Sequence, residues 1–351
     1  TRKIPMTLTT PSAPQQTSAF SATLQKLSIW SARNPAIFPF GLIILTCLVV
    51  GTLNTDFWQL ANLFDILRAS VVPGLFALGV LVVLASGGLD VSFTAVAALV
   101  MYSLTLVVVN IFPGMGIAPI FLLAAIGGGL LGAMNGVLVV ALKAPALIVT
   151  IGTQYALRGF LLTFVGTALF MNIPASMDMF GRLTLISVTT EQGLTVELPT
   201  YFLVLVAAAI LTWWVLNRTL IGRAIFAVGG NSDIAARLGY RVGLIKVFTF
   251  AYAGLLAGVA GVLHVTSIRL ANPFDLAGSE LVVIAAVVLG GARITGGSGS
   301  VIGTFLGVIL ITLVNNVLIL VGIPSAWQTA ILGGFILVAG LFFARLERMI
   351  R

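Results

Sequence analysis

From Ile37 to Phe343 the chain is a succession of apolar runs, broken by short clusters of Gly, Pro, Asn and charged residues. Crossing roughly 30 Å of hydrocarbon takes about 20 apolar residues. On that measure the pattern predicts spans at about 37–55, 69–86, 92–111, 116–142, 145–169, 199–217, 244–268, 281–292, 299–321 and 326–344, the eighth being short. Lipid has no partner to offer an unpaired N–H or C=O, so runs joined by so little polar sequence must be helices. Alternation with period two, the mark of a β-barrel, is absent. The predicted fold class is therefore all-α, a polytopic membrane helical bundle of about 10 transmembrane helices occupying residues 37–345. Residues 1–36 are different in kind, rich in Ser, Thr, Pro and Gln with no long apolar core, and they read as a disordered tail, not a signal peptide.

Composition agrees with the pattern and adds an orientation. The 351 residues are 59% hydrophobic and 8% charged, with a mean hydropathy of +1.16, which excludes an ordinary soluble domain. The surplus of eight positive charges would suggest nucleic acid in a soluble protein; here it is distributed by side, so membrane lipid is the expected surrounding and nucleic acid is not. With the N-terminus inside, fourteen of the eighteen basic residues fall on inner segments. Only Arg68, Arg158, Arg182 and Arg269 lie on outer segments or upper helices. This positive-inside bias predicts N-in and C-in, with the tail cytoplasmic and the chain multi-pass in the membrane. Two segments then stand outside the hydrocarbon. Residues 170–198 form a long periplasmic loop with Asp178, Arg182, Glu191 and Glu197, fit for docking; residues 217–246 form a cytoplasmic segment holding five basic residues.

Candidate chemistry is sparse. The single cysteine, Cys47, excludes internal disulfides and reads as a small apolar side chain. The sequence shows no Ser-His-Asp, Cys-His or paired-carboxylate constellation, and His264 has no second ligand at metal spacing. Thr150, Thr153, Gln154 and Arg158 follow at i, i+3, i+4 and i+8, one face of the fifth helix. An Arg inside a span turns to the bundle interior or a wet cavity; hydroxyl, amide and guanidinium together suit a polyol in transit, while an Arg bonded to a neighbouring helix is the structural alternative. Asn135, Asn315 and Asn316 read either as route-lining or as glue between helices. Arg269, Asp275 and Glu280 read as solvated loop charges. Glycines at four-residue spacing, Gly128, Gly132 and Gly136 and again Gly299, Gly303 and Gly307, predict close helix packing, within the chain more than between copies.

The cytoplasmic segment carries "GGNSDIAARLGY", which has the grammar of one short helix. Gly229 and Gly230 form a turn, Asn231 caps, Asp233 lies in the first turn, Arg237 pairs with it from the last, and Gly239 ends it. So short a helix needs a partner surface. The surrounding "GRAIFAVGGNSDIAARLGY" resembles the coupling segment of membrane permease subunits of ATP-binding cassette (ABC) importers for ribose, xylose, arabinose, galactosides and related solutes, through Gly222, Arg223, Ala227, Gly229, Asn231, Ala235, Ala236 and Gly239. "SGGLDVS" at 86–92, "GAMNGVLVVALKAPALIVTIGTQYALRG" at 132–159 and "LGGARITGGSGSVIGTFLG" at 289–307 resemble the same family in the same order.

That resemblance implies a type II-like importer permease. It pairs with a second copy or a paralogue, passes solute from a periplasmic solute-binding protein, and is driven by a separate cytoplasmic ATPase, tandem-domain in this family. ATP and Mg2+ would sit on that partner; the chain itself has no G-x-x-x-x-G-K-[ST] phosphate loop, so neither a bound cofactor nor an enzymatic activity is expected of it. The implied solute is a monosaccharide or related polyol, with nucleosides, signalling sugars and branched-chain amino acids as alternatives. A secondary transporter is the reading from another class, and it would need a buried acid near midplane.

Asp90, in "SGGLDVS", is the acid that matters for that choice. Ser86, Gly87 and Gly88 end the second span, and Asp90 or Ser92 is placed to cap the third. Gly290 with Gly291, and Gly296 with Gly297, break the pattern at a comparable depth in the other half. Paired breaks mark the solute-facing part of a transporter, so these residues are read as an inner gate, with Asp90 as a helix cap and not a proton carrier.

Overall fold

The computed structural model describes residues 36–324 other than 190–192 and 194, together with residues 327, 330, 331, 333–338, 340 and 341. The tail, apart from residue 36, and eight of the nineteen residues of the span expected at 326–344 lie outside the described residues. Within them the apolar runs are helices: α1 Ile37–Leu53, α2 Leu60–Ala69, α3 Val71–Ala85, α4 Phe93–Asn110, α5 Ile117–Leu142 and α6 Ala146–Phe160. The outer loop follows, with α7 Ala175–Arg182 and strands β1 Thr184–Thr189 and β2 Thr195–Pro199. Then come α8 Phe202–Arg218, α9 Leu220–Gly230, α10 Ser232–Arg237, α11 Val242–Ile268, α12 Glu280–Leu289 and α13 Val301–Leu320.

Among the described residues five helices are long and apolar enough to cross a membrane, and up to seven if each of two bent pairs counts as one span. The bends refine the sequence reading. Span two is α2 and α3, joined at 43°, and α8 turns into α9 at 73°. At the second bend Thr219 accepts from Gly222 N at 3.1 Å, and a Cβ on Gly222 would run into the carbonyls of Val215 and Leu216. Only the absence of a side chain lets the chain fold back so tightly there.

The packing centre is α11, 27 residues long, laid along α5 and flanked by α3 and α4. Helix α3 is enclosed almost all round and correspondingly has no polar stripe. Between α5 and α11 the small residues do the joining. A Cβ on Gly128 would meet Gly258 N at 2.9 Å, one on Gly136 would meet Val247 Cα at 2.7 Å, and one on Gly132 would overlap the Phe250 carbonyl. Gly303 and Gly307 lie as closely against Gly290 and Ala286 of α12. Both glycine ladders are thus intrachain seams, where backbones approach because lipid supplies no hydrophobic drive between helices.

The outer segment differs from the plain loop expected at 170–198. Thr184–Thr189 and Thr195–Pro199 pair antiparallel, because β-branched residues with polar neighbours suit a solvated hairpin. Ahead of it α7 tucks Met177 into the core and is fixed by Arg182 Nε to Asp178 at 2.9 Å and Arg269 Nε to Asp178 at 3.3 Å. The Glu191 expected there lies outside the described residues.

Gly132→Val should separate α5 from α11 and lower stability by about 1–3 kcal/mol. Thermal melting of the detergent-solubilised protein checks this, with Gly41→Ala, which faces open space, as the unaffected control.

Candidate functional site

Between α3 and α4 the backbone leaves helix for seven residues, and the turn is held by side chains. Asp90 Oδ1 accepts from Ser92 N at 2.8 Å and from Ser92 Oγ at 2.6 Å. Ser92 Oγ accepts from Asn135 Nδ2 of α5 at 2.7 Å. Thr150 Oγ1 of α6 donates to Leu89 O at 3.3 Å and stands 3.4 Å from Val91 N. Asp90, Ser92, Asn135 and Thr150 are all buried. The expected helix cap is corrected: Asp90 closes an Asx turn ahead of α4 and bonds no N–H of the helix itself, and Ser92, at the N-cap, makes no side-chain cap bond either. Its short reach is spent on the residue two positions on. Asn135 and Thr150 are brackets of this turn and are fully enclosed.

The glycine breaks meet. Gly87, Gly291, Gly296 and Gly297 all have positive φ, from 77° to 90°, which only glycine adopts without strain. A Cβ on Gly296 would lie 2.7 Å from Gly87 Cα and 2.7 Å from Gly229 O. A Cβ on Gly297 would lie 2.9 Å from Gly230 Cα, and Gly297 N donates to Ala85 O at 3.1 Å. Gly229 itself is wedged between Gly297 and the Ala85 carbonyl. Three distant stretches therefore touch backbone to backbone: the end of α3, the turn between α12 and α13, and the end of α9. Gly88 rests on Val83 and Phe250, and Gly290 on Gly303 and Thr304.

From this junction the segment expected to be cytoplasmic runs straight into α10. Gly229 and Gly230 are the last turn of α9 and not the free turn expected; the break falls at Asn231, whose side chain accepts from Asp233 N at 3.0 Å and Ile234 N at 2.9 Å. Gly239, φ 89°, ends the helix as the sequence suggests. Ala235 is buried, whereas Asn231, Asp233, Ala236, Arg237 and Arg223 are exposed. Asp233 and Arg237 make no ion pair, a correction to the expected i,i+4 bridge; both point into solvent, where such a pair is worth only tenths of a kcal/mol. Ile234 and Leu238, 55% and 72% exposed, leave an apolar edge beside these charges.

The stripe on α6 does share one face, but its partner is a residue the sequence reading misjudged. Glu280, expected as a solvated loop charge, is buried at the start of α12. Its Oε1 accepts from Gln154 Nε2 at 2.8 Å, from Thr94 Oγ1 of α4, and from Arg158 NH2 at 3.4 Å. Thr153 bonds back to Thr150 O at 3.2 Å. Glu280 sits in a polar loop sequence and no local signal separates it from its neighbours; an unbalanced Arg on a helix face was the one hint that an acid had to be near.

At the end of the bundle that carries the hairpin, a basin of about 1040 Å³ is lined by Arg68, Asp65, Arg182, Glu197, Arg269 and His264 among others. His264 Nε2 lies 3.1 Å from Asp275 Oδ2, so the lone histidine is satisfied within the loop. A second cavity of about 510 Å³ has Asn315 and Asn316 in its wall.

Comparison with known proteins gives these features a family. Residues 62–340 match the family described as "Branched-chain amino acid transport system / permease component". The chain is 34% identical to the ribose import permease protein RbsC of Bacillus subtilis (strain 168) over 327 residues, 92% of this chain and 94% of that protein. It is 34% identical to the ribose import permease protein RbsC of Haemophilus influenzae over 300 residues, 85% and 90% of the two. It is 31% identical to the autoinducer 2 import system permease protein LsrC of Yersinia pestis (strain Pestoides F) over 315 residues, 88% and 86%. No solved structure matches. A helical chain with glycine-broken spans and a bracketed, capped short helix, matched to that family over most of its length, belongs to the branched-chain amino acid transport system permease family.

Proposed function

We propose that this chain is the permease subunit of an ABC importer that carries a neutral sugar, ribose or a related polyol, into the cytoplasm. The observation that carries the reading is the glycine junction, where the end of α9 touches both helix breaks and then leads directly into an exposed capped helix. A push on α10 reaches the α3–α4 and α12–α13 turns without passing through any flexible side chain. Relatives named for ribose and autoinducer 2 import support the solute class.

In this reading the chain crosses a bacterial inner membrane about ten times, N-in and C-in, with residues 37–345 as the permease domain. It pairs with a second copy or a paralogue. Residues 170–198 face a periplasmic solute-binding protein, and Gly222, Arg223, Gly229, Asn231, Asp233, Ala235, Ala236, Arg237 and Gly239 form the surface for a tandem-domain ATPase that holds ATP and Mg2+. Gly87, Gly88, Asp90, Ser92, Gly290, Gly291, Gly296 and Gly297 are the inner gate, and Thr150 and Asn135 hold it in register. Thr153, Gln154, Arg158 and Asn315 face the route. A proton- or sodium-driven carrier is disfavoured because its acids are engaged, Asp90 by Ser92 and Glu280 by Arg158.

Three measurements of ATP-driven ribose uptake, in proteoliposomes holding the permease with its ATPase and binding protein, test this reading. Gly229→Ala, whose methyl has no room beside Ala85 O, should cut uptake about ten-fold or more, whereas Gly230→Ala, facing open space, should not. Asp90→Asn should keep most of the activity, because an amide oxygen can accept the same two bonds from Ser92; complete loss with normal assembly would make Asp90 a ligand. Uptake that proceeds without ATP or a partner protein would end the importer reading.

A further inference from the structure

The polar cluster at Glu280 is built more elaborately than helix packing requires. Three donors from two helices, Thr94 of α4 and Gln154 and Arg158 of α6, converge on one carboxylate oxygen of a residue at the start of a third helix. The other oxygen, Oε2, has no partner among the described residues. Arg158 engages the cluster through Nη2 alone, 3.4 Å from Glu280 Oε1 and 3.5 Å from Thr94 Oγ1, both at the long end of hydrogen bonding. The pair is not sealed either: 19% of the Arg158 side chain and 9% of the Glu280 side chain remain accessible. Beside it α6 turns an open face outward, with Tyr155 74% exposed and open space at Gly152 and Gly159.

A buried ion pair of this quality adds little stability, since desolvation offsets its attraction. An unfilled carboxylate oxygen and an underused guanidinium at an accessible edge are, by contrast, the groups that bind adjacent hydroxyls. The carboxylate accepts two O–H bonds, the guanidinium donates in a fork, and the two charges cancel, so no net charge is demanded of the ligand. We infer that Glu280, with Arg158 and Gln154, is a contact site for a neutral polyhydroxylated solute in transit. Thr94, wholly buried behind Glu280, orients the carboxylate. This rests on the permease reading above and adds Glu280 to the route as a specificity-determining residue.

The test compares uptake of ribose and 2-deoxyribose by the complete reconstituted transporter. Glu280→Gln replaces the charged acceptor with an amide and should lower ribose uptake about ten-fold, the loss of one charge-assisted hydrogen bond, and should lower 2-deoxyribose uptake distinctly less. Gln154→Leu should change the same ratio in the same direction, which keeps the test alive should Glu280→Gln fail to assemble. Equal losses for both sugars would assign the cluster to helix anchoring and overturn the proposal, as would unchanged uptake. So would recovery of ribose uptake in the double variant Glu280→Leu/Arg158→Leu, which preserves packing and removes both charges. Wild-type complexes that carry neither sugar with ATP and binding protein present would overturn the permease reading itself, together with this site.

Discussion

The structure depends on backbone touching backbone. Inside a bilayer, apolar side chains gain nothing by leaving lipid for one another, so helices are held by contact area and polar bonds, and the nearest approach belongs to glycine. Here that principle operates twice with different results. Along α5 and α11, Gly128, Gly132, Gly136, Gly254 and Gly258 make a continuous seam between regular helices, which is a rigid spine. At Gly87, Gly229, Gly296 and Gly297 the same closeness joins three helix ends, most of them in backbone conformations that only glycine adopts readily. There the result is a joint of three chain segments and not a seam between regular helices.

The polar groups are arranged around that joint in two tiers. Nearest it, Asp90, Ser92, Asn135 and Thr150 hold the α3–α4 turn by short local bonds and are closed to solvent. Further along α6, Gln154 and Arg158 reach Glu280 and stay accessible. The turn and the cluster share α4 and α6, and α12 links them to the other break: it begins at Glu280 and ends at Leu289, with Gly290 as its cap beside the joint. The glycine joint on one side and the Glu280 cluster on the other are thereby tied to the same short helix.

What could be read in advance followed from local rules. Apolar run length placed most of the described helices to within a few residues, because the hydrocarbon sets the length a span needs, but it missed α2, Leu60–Ala69, ahead of the second span. Asn231 as a cap and Gly239 as a terminator were legible, since each acts on backbone within three residues of itself. The 3.6-residue period put Thr150, Gln154 and Arg158 on one face. Asp90 was recognised as a turn residue but given the wrong bond, because capping the helix and closing an Asx turn need the same residue type and differ only by which N–H is nearer.

The sequence by itself determined the material and the plan of this protein: apolar helices, glycine breaks and a short capped helix, all consequences of hydrophobic length, backbone freedom and local hydrogen bonding. Only the tertiary structure decided which glycines are a spine and which a joint, that Asn135 and Thr150 are enclosed brackets, and that Glu280 is a buried partner of Arg158. Those outcomes depend on residues more than forty positions apart meeting in space, and no periodicity along one helix reports which face of another it will find.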